Sequence, residues 1–140
     1  MTYLLDTNVI CELVKPKPHA SVVNWVNAAE SSTLYISVLT LGEIRKGIVG
    51  ITDVKRHRKI ATWLEKELPT YFEDRILMID CKVADAWGQL QGDNKGHIFP
   101  AIDGLIAATA IVHQLKLVTR NVKDFARTSV ELINPWEMGE

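Results

Sequence analysis

The segment MTYLLDTNVI, residues 1–10, decides the fold of this 140-residue chain. Residues 3–6 are predicted to form a short buried strand that ends on the carboxylate Asp6, because three apolar residues precede the acid. Thr7 and Asn8 then offer N-cap side chains for the apolar helix that follows. A buried strand that passes directly into a helix is typical of an α/β protein.

The remainder of the chain continues this alternation. Apolar runs predict further strands at residues 34–36, 75–79, 115–119 and 130–133. Helices with apolar stripes are predicted to begin near Ser21, Ser37, Asp53, Asp80 and Pro100. Pro69 is expected to end the long helix that starts at Asp53. The pattern predicts a three-layer α/β/α sandwich with a mainly parallel, roughly five-stranded sheet, and residues 1–140 as a single domain.

Composition limits the class of protein. The apolar fraction of 47% and the charged fraction of 24% are those of a globular protein rather than a disordered one. No uncharged run reaches the roughly 18 residues that a membrane span requires, so a cytoplasmic protein with no membrane partner is expected. Cys11 and Cys81 lack metal-ligand spacing and are expected to be reduced core thiols.

Overall charge argues against general attraction to nucleic acids. The formal net charge is -1 and the pI is about 6.4, so any binding to a polyanion has to be local. The basic run at residues 55–59 is one local candidate. A solvated helix face is the favoured explanation of this run, because such runs are common on exposed helices.

Four acids occupy informative positions: Asp6, Glu43, Asp103 and Asp124. Asp103 shares a helix face with apolar residues, where an unpaired ionised carboxylate would cost several kcal/mol. Each acid also has a structural alternative. Asp6 and Asp103 can cap or complement a helix start, Glu43 can pair with Lys46, and Asp124 can be the first-turn acid of a helix capped by Asn121.

Together the four acids predict a metal site. Right-handed crossovers place Asp6 and the loop at residues 119–124 at the same edge of the sheet. Clustered carboxylates repel one another unless a cation lies between them. Oxygen ligands without His or Cys favour magnesium or manganese over zinc. The chemistry that follows is phosphodiester hydrolysis by activated water, without a protein nucleophile.

The chain resembles the PIN-domain ribonuclease toxins of the VapC family, close to the FitB-like branch. The resemblance rests on the segments LLDTNVI (residues 4–10), ISVLTLGEIRKGI (36–48), AIDGLIAATAI (101–111) and LVTRNVKDF (117–125). Asn134-Pro135-Trp136 near the end is also similar to the family. The four segments occur in the family order and span nearly the whole chain.

The resemblance implies a metal-dependent endoribonuclease. Asp6, Glu43, Asp103 and Asp124 would form a Mg²⁺ or Mn²⁺ centre, and Arg45, Lys46 and Arg120 would lie where they can contact RNA phosphates. Thr7 and Asn8 would hold Asp6 by hydrogen bonds, and Thr119 and Asn121 would hold water or the last acid. Some relatives carry Asp at the position of Asn121, so the number of metal ions, one or two, stays open.

The resemblance also implies partners. A small cognate antitoxin, VapB-like or FitA-like, would neutralise the toxin and would link it to operator DNA. A homodimer is expected, with RNA as the substrate.

Two other classes of α/β protein do not fit the same residues. Dehalogenase-like phosphatases need a second Asp two positions after the first, where this chain has Asn8. A phospho-receiver domain needs an acidic pair that residues 3–6 do not supply. A non-catalytic or weakly catalytic partner in a DNA-bound regulatory complex stays open as the alternative.

Overall fold

The predicted α/β/α sandwich is confirmed by a computed structural model, which describes residues 1–138. Five parallel strands form one sheet in the order β3-β2-β1-β4-β5. The strands are β1 (Tyr3–Leu5), β2 (Leu34–Ser37), β3 (Ile76–Leu77), β4 (Lys116–Val118) and β5 (Leu132–Ile133). The last two residues of the predicted domain at 1–140 lie outside the described residues.

Helices cover both faces of the sheet. They are α1 (Thr7–Leu13), α2 (Ala20–Ala28), α3 (Val38–Val49), α4 (Val54–Thr62), α5 (Leu68–Phe72), α6 (Cys81–Asp93) and α7 (Ala101–His113). Among residues 1–138, no helix combines the length and the apolar character needed to cross a membrane.

Strand alternation divides the core into two clusters. Successive side chains of a strand point to opposite faces, so Leu4 and Leu5 enter different layers although both are almost fully buried. Leu5 packs in the cluster that includes residues of α1 to α5. Leu4 packs with Ile106 and Phe125 in the cluster that includes α6 and α7. The first strand therefore holds both helical layers to the sheet.

The order of the strands fixes where a site can form. The chain runs from β1 outward to β2 and β3 and then returns to pair β4 with the other side of β1. The backbone N–H of Asp6 extends this pairing by donating to the carbonyl of Val118 at 2.9 Å. In open α/β sheets, ligands bind where the strand order reverses at the carboxyl ends of strands. Asp6 and Thr119 lie at that point.

The predicted N-cap of α1 is wrong by one to two residues. Asp6, not Thr7 or Asn8, is the N-cap, because its backbone is extended and its side chain accepts a hydrogen bond from the backbone N–H of Thr7. Thr7 is already inside the helix. The side chains of Thr7 and Asn8 are therefore left for contacts with other elements.

The helix predicted to end at Pro69 continues to Phe72. A π-helical turn over Trp63–Glu67 separates α4 from α5, and Pro69 falls at the start of α5. The backbone N–H of Leu68 donates to the carbonyl of Trp63, five residues earlier, and proline at the next position has no N–H that would need an acceptor. With this wider turn, Pro69 does not end the helix, contrary to the expectation from the sequence.

Two other expectations need correction. The third strand is only Ile76–Leu77 rather than 75–79, because Arg75 ends a 3₁₀ turn and its guanidinium donates to the carbonyls of Ser31, Leu34 and Tyr71.

Cys81 is exposed at the start of α6 and Cys11 is half-buried. The expectation of two core thiols is therefore wrong for Cys81.

Close packing of α6 against α7 requires the glycine at position 104. A Cβ at this position would lie 3.0 Å from Cδ1 and Nε1 of Trp87 and 3.2 Å from Nε2 of Gln91. By contrast, a Cβ at the exposed Gly88 of α6 would have no atom within 4 Å. Only Gly104 is thus needed for the approach of the two helices.

We predict opposite effects for two Gly→Ala substitutions. Gly88→Ala should raise the free energy of unfolding by about 0.5–1 kcal/mol, because alanine favours the helix. Gly104→Ala should lower it by about 1–3 kcal/mol, because the added methyl overpacks the indole of Trp87. Urea unfolding of both variants measures the difference. An equal gain in both would contradict the packing described here.

Candidate active site

Asp6 is a buried carboxylate at the carboxyl end of β1, with 8% of its surface exposed. Its Oδ1 accepts from the backbone N–H of Thr7 at 2.8 Å, and its Oδ2 accepts from the hydroxyl of Thr119 at 2.8 Å. Burial raises its pKa to about 6, with smaller contributions from the charges of Glu43 and Asp103; the two hydrogen bonds oppose the shift. Because its pKa lies at about 6, the Asp6 carboxyl can bind a proton close to neutral pH. A cation could take the place of that proton.

Thr119 connects the ends of β1 and β4. Its hydroxyl is fully buried, donates to Asp6, and accepts from Nδ2 of Asn8 at 3.3 Å and from the backbone N–H of Asn121 at 3.1 Å. A hydroxyl has one hydrogen and two lone pairs, so these three bonds use its full capacity. The donor hydrogen is consequently directed at Asp6.

The side chain of Asn8 hydrogen-bonds the residues that follow β4 and does not hydrogen-bond Asp6. Its Nδ2 donates to Thr119, and its Oδ1 accepts from the backbone N–H of Arg120 at 3.3 Å. The expectation that Asn8 hydrogen-bonds Asp6 is therefore corrected to an indirect role. The first turn of α1 and the turn after β4 are joined through this one amide.

Glu43 lies in the second turn of α3 and is half-buried. This is the border between core and solvent that its place next to the apolar stripe predicts. Its Oε1 accepts from the hydroxyl of Thr7 at 2.6 Å, and that hydroxyl lies 2.9 Å from the hydroxyl of Thr40. Since Thr7 gives its only hydrogen to Glu43, Thr40 has to donate to Thr7.

Thr40 is the residue that the sequence analysis missed. It is fully buried and belongs to the hydrogen-bond chain that orients Glu43. Its spacing of three residues before Glu43, on the same side of a helix, was the available signal.

Asp103 and Asp124 come from two further elements. Asp103 is half-buried in the first turn of α7, and its pKa is raised by burial and by the charges of Asp124 and Glu43. Asp124 is exposed on a 3₁₀ helix over Val122–Phe125, and its backbone N–H donates to the carbonyl of Asn121 at 3.0 Å. No side-chain cap from Asn121 is present on this helix. The four predicted acids therefore lie close enough for their charges to act on one another.

The four acids offer the kind of donor atom that hard divalent cations prefer. In residues 1–138, no three His, Cys, Asp or Glu side chains lie close enough together to hold an ion jointly. The donors offered by the four acids are nevertheless all carboxylate oxygens, and Mg²⁺ usually completes its shell with several waters rather than with protein groups alone. Burial and, to a smaller extent, repulsion raise the pKa values of Asp6 and Asp103, and a cation would offset both effects.

The three predicted phosphate contacts differ in position. Arg45 forms an ion pair with Glu65, with 2.7 Å between Nη2 and Oε2, and is therefore committed to another surface. Lys46 is exposed in the last turn of α3. The guanidinium of Arg120 lies over the ring of Trp136, 5.3 Å from its centroid, immediately after the buried Thr119. Arg120 is the one of the three whose backbone is hydrogen-bonded to the side chain of Asn8 in the Asp6 network.

Comparisons with known proteins agree with this fold and order of residues. A family model described as the PIN domain matches residues 3–131. The chain is 35% identical over 136 residues to VapC ribonuclease Y4jK of Sinorhizobium fredii, covering 96% of this chain and 97% of that protein. It is 36% identical over 135 residues to toxin FitB of Neisseria gonorrhoeae, covering 95% and 97%. A solved structure of FitAB bound to an IR36 DNA fragment has a TM-score of 0.91 at 33% identity and covers 99% of both chains.

We predict a specific pH dependence of stability in the absence of divalent cations. The pKa of Asp6 is about 6 in the folded protein against an ordinary 3.8, so the folded state binds the proton more tightly and stability falls as pH rises through this window. Between pH 5 and pH 7 the loss from Asp6 should be about 1 kcal/mol. Urea unfolding in EDTA measures it.

The matched variants isolate the contribution of this acid. Asp6→Asn should remove this part of the pH dependence, whereas Asp85→Asn, a change at an exposed acid of α6, should keep it. Identical slopes for the wild type and Asp6→Asn would contradict the raised pKa.

Proposed function

The chain belongs to the PIN-domain family, and from this premise we propose that it is a metal-dependent endoribonuclease and the toxin of a toxin-antitoxin pair. The observation that carries the proposal is the buried carboxylate of Asp6, fixed by Thr119 and within range of the charges of Glu43 and Asp103. The relatives named VapC ribonuclease and toxin FitB support the same activity.

Asp6, Glu43, Asp103 and Asp124 would hold Mg²⁺ or Mn²⁺. When bound, the ion supplies an activated water and neutralises negative charge on the phosphate and the leaving oxygen. The raised pKa values of Asp6 and Asp103 support cation binding, because both carboxylates are destabilised by charge and burial as they stand.

The residues around the acids would contribute to the reaction by fixing the orientation of the carboxylates. Thr119 and the N–H of Thr7 fix both oxygens of Asp6, and the hydroxyl of Thr7 fixes one oxygen of Glu43. These fixed orientations keep the acids from turning toward solvent or toward other donors. Because the carboxylates act as ligands, none of them needs to attack the substrate, and the absence of an acid at position 8 is consistent with this role.

Arg120 and Lys46 would bind the phosphates of the substrate. Arg120 follows the site directly and is held by the amide of Asn8 and the ring of Trp136. A guanidinium suits phosphate because it donates two parallel hydrogen bonds. Arg45 is less suited, since its guanidinium is already paired with Glu65.

An antitoxin partner is supported by an apolar groove of about 520 Å³ between α1, α2 and the α4–α5 segment. Leu13, Val23, Val26, Trp63 and Tyr71 line it. We propose that an apolar helix of a VapB-like or FitA-like antitoxin binds here and that a basic side chain of the same protein meets the acids.

The same proposal covers assembly. The chain would form a homodimer, and the antitoxin would link it to operator DNA. Support comes from the structurally similar FitAB, which was solved bound to a DNA fragment. That observation also favours the second candidate function, a weakly catalytic or non-catalytic partner in a DNA-bound regulatory complex.

We predict that the protein, purified free of antitoxin, cleaves single-stranded RNA in Mg²⁺ or Mn²⁺ and that EDTA stops cleavage. Asp6→Asn and Asp103→Asn should reduce cleavage to background, because each removes a carboxylate oxygen from the proposed centre. Gel analysis of labelled RNA measures the activity, and circular dichroism checks that both variants are folded.

Asp85→Asn should cleave as the wild type does, since Asp85 lies exposed on α6. Addition of the cognate antitoxin should suppress the wild-type activity. A folded wild type that cuts no RNA in a broad panel with either metal would favour the regulatory partner instead.

A further inference from the structure

A small pocket of about 270 Å³ opens beside the candidate active site. Its lining includes Arg120, Lys123, Asp124, Asn134 and Glu137. Asp124 belongs both to this pocket and to the four acids, so a ligand in the pocket would adjoin the proposed metal. Apart from the backbone N–H groups of Arg120 and Asn121, which donate to Asn8 and Thr119, the lining residues take no part in the hydrogen bonds around Asp6.

Arg120 is held in place at two points. Its backbone N–H donates to Oδ1 of Asn8 at 3.3 Å, and its guanidinium lies 5.3 Å from the centroid of the Trp136 ring. Stacking over an aromatic face orients the guanidinium plane without using its N–H donors. The donors therefore stay available to a ligand.

The cations of the pocket have no carboxylate partners within the described chain. No Asp or Glu oxygen of residues 1–138 lies within 4.0 Å of a side-chain nitrogen of Arg120 or Lys123, although Asp124 and Glu137 line the same pocket. A ligand that is anionic at one end can bind these cations without breaking an existing ion pair. Phosphate is such a group.

Two amide side chains also line the pocket. Oδ1 of Asn134 accepts from the backbone N–H of Trp136 at 3.0 Å, which leaves the Nδ2 donors of this side chain for other partners. Asn121 is exposed and also lines the pocket. Amides and a carboxylate are the groups that hydrogen-bond the edges of unstacked bases.

We propose that this pocket is a nucleotide subsite, in which Arg120 and Lys123 bind the phosphate of a nucleotide next to the scissile bond and Asn134 and Glu137 face its base. The proposal rests on the ribonuclease function proposed above, because it assigns a place to one nucleotide of the RNA substrate.

Trp136 is a positioning residue in this subsite. The tail that carries it is fixed to α2, since the hydroxyl of Ser21 donates to the carbonyl of Pro135 at 2.6 Å. One face of the Trp136 ring is covered by Arg120, and the ring also packs against the core cluster that contains Leu5. Its role is therefore to hold the guanidinium rather than to stack on a base.

The direct test is binding of nucleoside 5′-monophosphates, observed by ¹H–¹⁵N NMR of the full chain carrying Asp103→Asn to prevent turnover. We expect saturable shifts at the side-chain amides of Asn121 and Asn134 and at the indole N–H of Trp136. Arg120→Ala should weaken binding about tenfold or more, the usual range for a hydrogen bond to a charged group. Lys66→Ala, which removes an exposed cation elsewhere, should leave the affinity unchanged.

Comparison ligands define what the pocket recognises. Nucleosides without phosphate should bind much more weakly than the monophosphates, and inorganic phosphate alone should shift Arg120 without shifting Asn134. Saturable shifts confined to residues outside the pocket, no saturable shifts at all, or an Arg120→Ala affinity within twofold of the parent would overturn the proposal.

Cleavage kinetics test the positioning role of Trp136. Trp136→Leu should raise KM for RNA with little change in kcat, and Trp136→Phe should restore KM because phenylalanine keeps an aromatic face for Arg120. An equal rise in KM for both variants, with normal thermal stability, would contradict this role.

The two proposals fail in different ways. If the monophosphates bind in the pocket while the wild type cuts no RNA, the pocket stands as a nucleotide site, but the nuclease function and the placement next to a scissile bond fall. If RNA is cut normally when both Arg120 and Lys123 are replaced by alanine, the nuclease stands and the subsite falls.

Discussion

Burial of the Asp6 carboxylate at the end of β1 is the constraint that the surrounding residues satisfy. An isolated buried carboxylate tends to take up a proton, and the charges of Glu43 and Asp103 add to this tendency. The hydroxyl of Thr119 opposes it by donating to Oδ2, and it can do so reliably because Asn8 and the N–H of Asn121 occupy its two lone pairs. Asp6 is thereby kept in one orientation.

Sheet topology makes this network possible. Parallel pairing of β1 with β4 brings Asp6 and Thr119 together although 113 positions separate them in sequence. The same pairing carries the chain into the turn at Arg120 and then into the 3₁₀ helix with Asp124. From the other side, Thr7 reaches Glu43 on α3. Fold and site thus share one requirement, which is that β1 ends at Asp6.

The fold and the four acids could be predicted from sequence because each leaves a local pattern. A short apolar run followed by Asp6, and an acid on the apolar face of α7, are visible without coordinates. The contacts of Thr40 and Asn8 could not be predicted, since they depend on which helix faces which strand end. The passage of the helix through Pro69 was hidden because a π-helical turn has no simple sequence signature. Exposure of Cys81 likewise depends on packing that its apolar surroundings do not reveal.

Burial raises the pKa of the Asp6 carboxyl, and a divalent cation bound by this acid would lower it again. Carbon-detected NMR titration of the Asp6 side chain, with and without saturating Mg²⁺, measures this directly. Without the ion the carboxyl should titrate at a pKa of about 6, and with Mg²⁺ the pKa should fall below that value because the cation favours the charged form. A pKa that is near the ordinary range in both conditions, or that does not respond to Mg²⁺ or Mn²⁺, would contradict the account.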